Sequence, residues 1–409
     1  MTADVGRIGV VGAGTMGSGI AQLACLGGYR TVIQDPVPEA LEAGAARVVD
    51  SLGKGVRREM WSAEEAEAAG GRLEAVEDVG ELEGCDMVIE AAPEDVELKR
   101  RLFAELAAAC GPEAILATNT SSLPVTAVGA ETPNPERVVG MHFFNPPALM
   151  KLVEVVATAD SSAEALDATT EVGRRMGRTP IRAKDSPGFI ANRLARPYML
   201  ESLRMLAEGV ADAPTIDRAC RLGGGFRMGP FELIDLIGLD VNLSVARSFY
   251  AQGGEPERWR PSEIQARMVD EGRLGRKSGT GFYAYDDAGS GRPDVPLHGD
   301  ASKERGERVG PTLDPDDLAK IDPAAPEIVP RLVAQIANEA AFALEEEVGS
   351  PQDMNTAMRL GFNWPLGPIE FTDLIGPGRA VELLESLRPG RGDAYGPAPG
   401  LIRNITSST

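Results

Sequence analysis

Short apolar runs alternating with amphipathic stretches organise the first half of the chain. Arg7 to Val11, Arg30 to Gln34, Asp86 to Glu90, Ala114 to Thr118 and Val138 to Met141 are too short for helices and mostly apolar, the pattern of strands in a parallel sheet covered on both faces. The segments between them carry helical periodicity, so the pattern predicts an open α/β domain. One interval breaks the rhythm. About fifty residues separate the second and third runs, and their centre, Pro38 to Gly70, is rich in Ala, Glu and Arg. That centre predicts a pair of helices projecting from the sheet. Lys151 to Val156 and Thr179 to Ala183 predict two further strands.

Ser186-Pro187-Gly188 interrupts this pattern, and helical periodicity takes over. The expected division is an α/β domain at 1–185 with its helical arm at 38–70, a helical domain at 186–286, a Gly-, Pro- and Asp-rich linker at 287–325, and a second helical domain at 326–409. The last is a repeat. RLGGGFRMGPFELIDLIG, Arg221 to Gly238, aligns without gaps on RLGFNWPLGPIEFTDLIG, Arg359 to Gly376. The same register pairs Arg193-Leu194 with Arg331-Leu332 and Glu201 with Glu339.

Composition narrows the class. A chain of 409 residues is long enough for two or three cores. Its net charge of −21 repels phosphate backbones, which argues against nucleic acid as a partner. No apolar stretch approaches the ~18 residues of a membrane span, and the N-terminus lacks the pattern of a secretory signal. Cys25, Cys85, Cys110 and Cys220 form no C-x-x-C pair and read as buried hydrophobes of a reducing compartment. The expectation is a soluble cytoplasmic protein without disulfides or bound metal.

Gly12-Ala13-Gly14-Thr15-Met16-Gly17 follows the strand IGVV and opens a helix. In that setting Gly12 permits a tight turn, Gly14 leaves room for a pyrophosphate and Gly17 allows close helix packing, while free N–H groups at the helix start bind the anion. Asp35 ends the second strand, where a carboxylate accepts the ribose hydroxyls and repels a 2′-phosphate. This favours NAD over NADP; a turn-forming Asp before Pro36 is the other reading of that residue.

The chain has two histidines. His298 falls in the expected linker. His142, in RVVGMHFFNPP, ends a strand on the carboxyl edge of the sheet, where open α/β sheets bind ligands. Beside two Phe residues it also reads as a packed side chain. Twelve residues on, however, Glu154 interrupts the apolar run KLVEVV, and a carboxylate there needs a partner such as an imidazole N–H.

GAGTMGSGIAQ, VIEAAPEDVELK, ATNTSSLPV, GMHFFNPP, KLVEVV, DSPGFIANR, FRMGPFELIDLIGLD and GRLGRKSGTGFYAY together resemble, in order and spacing, the signatures of the 3-hydroxyacyl-CoA dehydrogenase family. The resemblance covers about residues 6 to 286, and the repeat extends it to members with two helical copies. It implies a Rossmann-type NAD-binding domain followed by two all-α domains like the C-terminal domain of 6-phosphogluconate dehydrogenase. The implied reaction is hydride transfer between NAD and C3 of a 3-hydroxyacyl-CoA. His142 is then the general base, Glu154 orients it, and Ser121 and Asn192 hydrogen-bond the substrate oxygens. Asn145 would position His142 and the nicotinamide ribose, and Glu94, Lys99, Ser121 and Lys277 would contact the cofactor. Ser51 and Arg58, with Arg57 as the adjacent alternative, would hold coenzyme A on the helical arm together with Ser121. Taken alone, Glu94 and Lys99 read as first-turn helix charges, Lys277 as a loop cation and Asn192 as a helix cap.

The second helical copy has Pro330 where the first has Asn192, and no counterpart of the Lys277 loop, so it reads as structural. It is expected to imitate within one chain a contact that single-copy relatives make as dimers, leaving open a pseudo-dimeric monomer or a homodimer. Two other functions fit the same residues: a dehydrogenase of free 3-hydroxy acids or sugar acids, and a non-catalytic NAD-binding protein.

Overall fold

A computed structural model describes residues 5–285 and 310–406, so His298 and most of the expected linker lie outside the described residues. The chain divides into two compact units, Met1–Phe189 and Ile190–Thr409.

The first unit is built on an eight-stranded sheet. Its strands are β1 (Arg7–Val11), β2 (Arg30–Gln34), β3 (Leu73–Val76), β4 (Met87–Glu90), β5 (Ile115–Thr118), β6 (Val138–Phe143), β7 (Leu152–Ala157) and β8 (Thr179–Lys184), in the spatial order β3-β2-β1-β4-β5-β6-β7-β8. All neighbours are parallel except β6 and β7. Helices α1 (Thr15–Leu26), α2 (Pro38–Arg57), α3 (Ala63–Gly70), α4 (Val96–Cys110), α5 (Val125–Val128) and α6 (Ala163–Arg175) complete the unit. The central strands β4, β5 and β6 are buried at every position, which is why they are short and apolar. Strand order reverses between β1 and β4, and the glycine loop leaves β1 at that switch point.

Two expectations change here. Residues 73–76 were not foreseen as a strand: β3 pairs only with β2, and with Glu74 and Ala75 exposed it has no buried apolar run to reveal it. The arm at 38–70 does form two helices, α3 being opened by a Ser62–Glu65 capping box. It does not stand clear of the sheet domain, because Leu41, Val48, Leu52 and Ala69 belong to the core that includes α1. Gly44 is the contact point, since a Cβ there would lie 2.6 Å from the Ala13 carbonyl.

The second unit contains α7 (Ala191–Glu208), α8 (Ala213–Leu222), α9 (Pro230–Ile237), α10 (Leu239–Gln252), α11 (Glu263–Asp270), α12 (Pro315–Ile321), α13 (Ala325–Glu345), α14 (Pro351–Gly361), α15 (Pro368–Ile375), α16 (Pro377–Leu387) and α17 (Pro399–Thr406). Part of the expected linker is thus the helix α12, capped by Asp314, with Leu318 and Ile321 buried. The two helical copies lie within one compact unit. Their contacts are reciprocal. Arg193 of α7 pairs with Glu339 and Glu346, and the equivalent Arg331 of α13 pairs with Glu201 and Glu208. Phe226 meets its own counterpart, Trp364, edge to face at 5.3 Å. Exchange of equivalent contacts is the mark of an isologous, two-fold arrangement. Local geometry repeats as well: Asp217 accepts the Phe231 N–H at 2.9 Å, and Asn355 accepts the Ile369 N–H at 3.0 Å.

Candidate active site

The glycine loop is shaped by contacts that exclude side chains. Gly12 has φ +92°, and a Cβ there would lie 2.7 Å from the Ala91 carbonyl. A Cβ on Gly17 would come within 1.7 Å of the Gly12 carbonyl, whereas one on Gly14 would meet nothing within 4 Å. No side chain caps α1, so the N–H groups at its start are free to hold an anion. The loop, with Thr15, Met16 and Asp35, lines a cleft of about 1600 Å³.

Asp35 is half-buried at the end of β2, and its two oxygens accept the N–H groups of Ala13 (2.9 Å) and Val37 (3.0 Å). Arg47 of α2, not foreseen from the sequence, holds the other side of the same loop. Its Nη2 donates to the Ala13 carbonyl and its Nε to Ser18 Oγ (3.3 Å), which donates to the Gly14 carbonyl (2.7 Å). Because peptide units are planar, fixing these carbonyls also fixes the N–H groups of Gly14 and Thr15.

Glu94 and Lys99 sit apart from the cleft lining. The Lys99 side chain is 1% exposed, and its ammonium lies 2.6 Å from Glu90, 3.3 Å from Glu94 and 3.3 Å from the Ala92 carbonyl. Three acceptors use its three protons, so its ammonium braces Glu90 and Glu94. Glu90, fully buried, also accepts from Thr118 Oγ1 at 2.7 Å. Glu94 Oε1 gathers the Thr120 and Ser122 hydroxyls (2.6 and 2.9 Å) and the N–H groups of Ser121 and Ser122 (both 3.2 Å). Burial works to raise its pKa, but the Lys99 charge and these donors outweigh it and hold the carboxyl below the usual range. Glu94 therefore shapes the loop that carries Ser121.

At the far end of the sheet edge, β6 and β7 run antiparallel with His142 directly opposite Glu154. Opposed residues of such a pair project on one face. His142 Nδ1–H donates to Glu154 Oε2 at 2.7 Å; Glu154 is fully buried and His142 is 5% exposed. Phe144 and Phe189 flank the ring at 4.5 and 5.8 Å. Asn119, another residue the sequence reading passed over, accepts the Phe143 N–H at 2.8 Å and ties the end of β5 to this strand. Asn145 is exposed just beyond it.

On α2, Ser51 lines a smaller pocket of about 200 Å³ with Thr15, Gln22, Arg47, Lys54 and Pro146. Arg58 is exposed at the C-cap of α2 and Arg57 lies 3.8 Å from Asp50; neither lines this pocket. Two cations, Arg47 and Lys54, line the pocket with Ser51, and the Lys54 ammonium lies 2.6 Å from Asp50, which lines it too. In the second unit Asn192 is the second residue of α7, and Lys277 is paired with Asp240 at 2.6 Å.

A family model for the NAD binding domain of 3-hydroxyacyl-CoA dehydrogenase matches residues 7–186, and its C-terminal domain model matches twice, over 188–285 and 328–407. The chain belongs to the 3-hydroxyacyl-CoA dehydrogenase family. Among its relatives, 3-hydroxyadipyl-CoA dehydrogenase of Escherichia coli is 38% identical over 96% of both chains. A probable 3-hydroxybutyryl-CoA dehydrogenase of Deinococcus radiodurans is 40% identical over 68% of this chain and all of its own. The crystal structure of 3-hydroxybutyryl-CoA dehydrogenase from Escherichia coli superposes with a TM-score of 0.88 at 36% identity, covering 99% of each chain. The residues present fit the cofactor of a 3-hydroxyacyl-CoA dehydrogenase: an open position at Gly14, uncapped N–H groups behind it and the Asp35 carboxylate at the end of β2.

Proposed function

We propose that this enzyme oxidises 3-hydroxyacyl-CoA thioesters to 3-ketoacyl-CoA reversibly, with His142 as the acid–base residue. The observation that carries this reading is the 2.7 Å contact between His142 Nδ1 and the buried Glu154. A carboxylate on Nδ1 fixes the proton there, which leaves the Nε2 lone pair to accept the C3 hydroxyl proton. The imidazolium so formed is stabilised by the same carboxylate. Bound NAD supplies the hydride acceptor. In the reverse direction the imidazolium returns the proton to the C3 oxygen.

Ser121 and Asn192 take the role of donors to the substrate oxygens, polarising C3 in either direction. The N–H groups of Gly14 and Thr15, in a loop held by Arg47 and by the Asp35 contact to Ala13, would hold the cofactor's pyrophosphate, and Lys277 is proposed as a further cofactor contact. Ser51 and Lys54 are assigned to the nucleotide end of coenzyme A, since a cation and a hydroxyl share one pocket there. All four cysteines are free, in keeping with a reducing compartment such as the cytoplasm. Among the described residues no helix is long and apolar enough to cross a membrane.

Turnover of NADH with acetoacetyl-CoA, set beside free acetoacetate and gulonate, tests the substrate class. Efficient reduction of the thioester alone is expected. Equal or better turnover of a free acid would assign the enzyme to hydroxy-acid chemistry, and NADH binding without turnover of any of them or of a longer 3-ketoacyl-CoA would make it a binding protein.

A further inference from the structure

One turn beyond Asn192 on α7 stands a charge without a counterpart among the described residues. Arg196 is 5% exposed, and its Nε and Nη1 are shut off from solvent with no hydrogen-bond partner among the described residues. The guanidinium lies over the Phe249 ring at 5.5 Å, and burial pushes its pKa down to about 10. A buried unpaired cation is costly, and proteins retain one where an anion completes it. Arg193, three residues earlier on the same helix, shows the alternative, being neutralised by Glu339 and Glu346.

The repeat supplies a control within the molecule. In the register that matches Arg193 with Arg331 and Glu201 with Glu339, Asn192 corresponds to Pro330 and Arg196 to Ala334. Ala334 is fully buried in α13. The helix therefore packs without a cation at this position, and packing does not explain Arg196. Both polar replacements fall on one face of the copy that carries Asn192, four residues apart and so about 6 Å along the axis.

The geometry points to Arg196 as a subsite for a carboxylate at the far end of the acyl chain, which makes dicarboxylyl thioesters the preferred substrates. This rests on the dehydrogenase reading above, in which Asn192 meets the substrate near C3. A separation of about 6 Å is close to the reach from C3 to the carboxylate oxygens of a medium-length dicarboxylyl chain. One unpaired guanidinium suits a monoanionic carboxylate, which its planar fork binds bidentately. Terminal phosphates, with more charge to satisfy, would call for further cations.

The test uses the full chain with NADH and two six-carbon thioesters that differ only at their ends, 3-oxoadipyl-CoA and 3-oxohexanoyl-CoA. The wild type is expected to favour the carboxylate ester by at least about 30-fold in kcat/KM, as a buried polar site rejects a substrate that leaves it unpaired. Arg196→Met should bring that ratio to about one or below, and Arg196→Lys should retain part of it. Equal handling of the two esters by the wild type would overturn the proposal, whatever the variants do. So would an Arg196→Met enzyme that loses both activities in the same proportion. Wild-type silence on both esters would instead overturn the dehydrogenase reading, and the subsite with it.

Discussion

Arg193 donates from Nε to Glu339 across 2.8 Å, and 138 residues later Arg331 donates from Nε to Glu201, so each helical copy offers the other the same pair. Glu339 also accepts from Arg258 and Trp259, each at 3.0 Å, and Glu201 from Tyr395 at 2.9 Å. Removing one side of such a network strands a buried charge. Arg193→Ala is therefore expected to lower stability by about 3 kcal/mol, and Arg331→Ala by a similar amount. Urea unfolding measures both; losses under about 1 kcal/mol would show the pairs to be peripheral.

The same reciprocity bears on truncation. A chain ending at residue 325 leaves Arg193 and Glu201 facing water and uncovers Phe226, which packs on Trp364 and Phe371. It should aggregate, or dimerise through the uncovered face, when followed by light scattering. A stable, fully active monomer would contradict the pseudo-dimeric role of the second copy.

Acid should loosen this network through Glu208. Burial alone would raise its carboxyl pKa, but the hydrogen bonds and charges of Arg331 and Arg391 hold it below the usual range. A depressed carboxylate contributes stability that is present above its unfolded value of about 4.3 and is lost as pH falls through the folded value. Glu208→Gln should thus lower Tm at pH 7 while leaving Tm less sensitive to pH between 5 and 3 than in the wild type. Parallel Tm–pH curves would refute the assignment.

Two glycine substitutions separate fold from cofactor binding. Gly17→Ala drives a methyl into the Gly12 carbonyl and should unfold or strongly destabilise the first unit. Gly14→Ala meets no protein atom, so Tm should hold while NADH binding, followed by fluorescence, weakens about tenfold or more. Equal effects of the two on stability would mean that Gly14 serves packing rather than the pyrophosphate.

How much of this was legible in the sequence depended on burial. The central strands announced themselves as apolar runs because both faces are covered, while β3 escaped notice as a half-exposed edge. His142 and Glu154 could be linked in the sequence because a carboxylate in an apolar strand needs a partner such as an imidazole N–H, while the antiparallel register that sets them opposite each other shows only in the fold. For Lys99 the motif position gives the residue but not the direction of its side chain, which the structure turns onto Glu90. Lys54 and Arg47 lie on an exposed helix face, where charge is ordinary, and only the fold shows which cations turn toward a loop or pocket. Arg196 was hidden differently: its departure shows when the repeat register is carried onto Ala334, and its lack of a partner shows only in three dimensions.

The most direct measurement is kcat for NADH-dependent reduction of acetoacetyl-CoA by His142→Asn, with NADH affinity measured on the same preparation. A fall of about a thousandfold in kcat with unchanged NADH binding is the predicted result. A kcat within about fivefold of wild type would lie far outside the range of general acid–base catalysis and would contradict it.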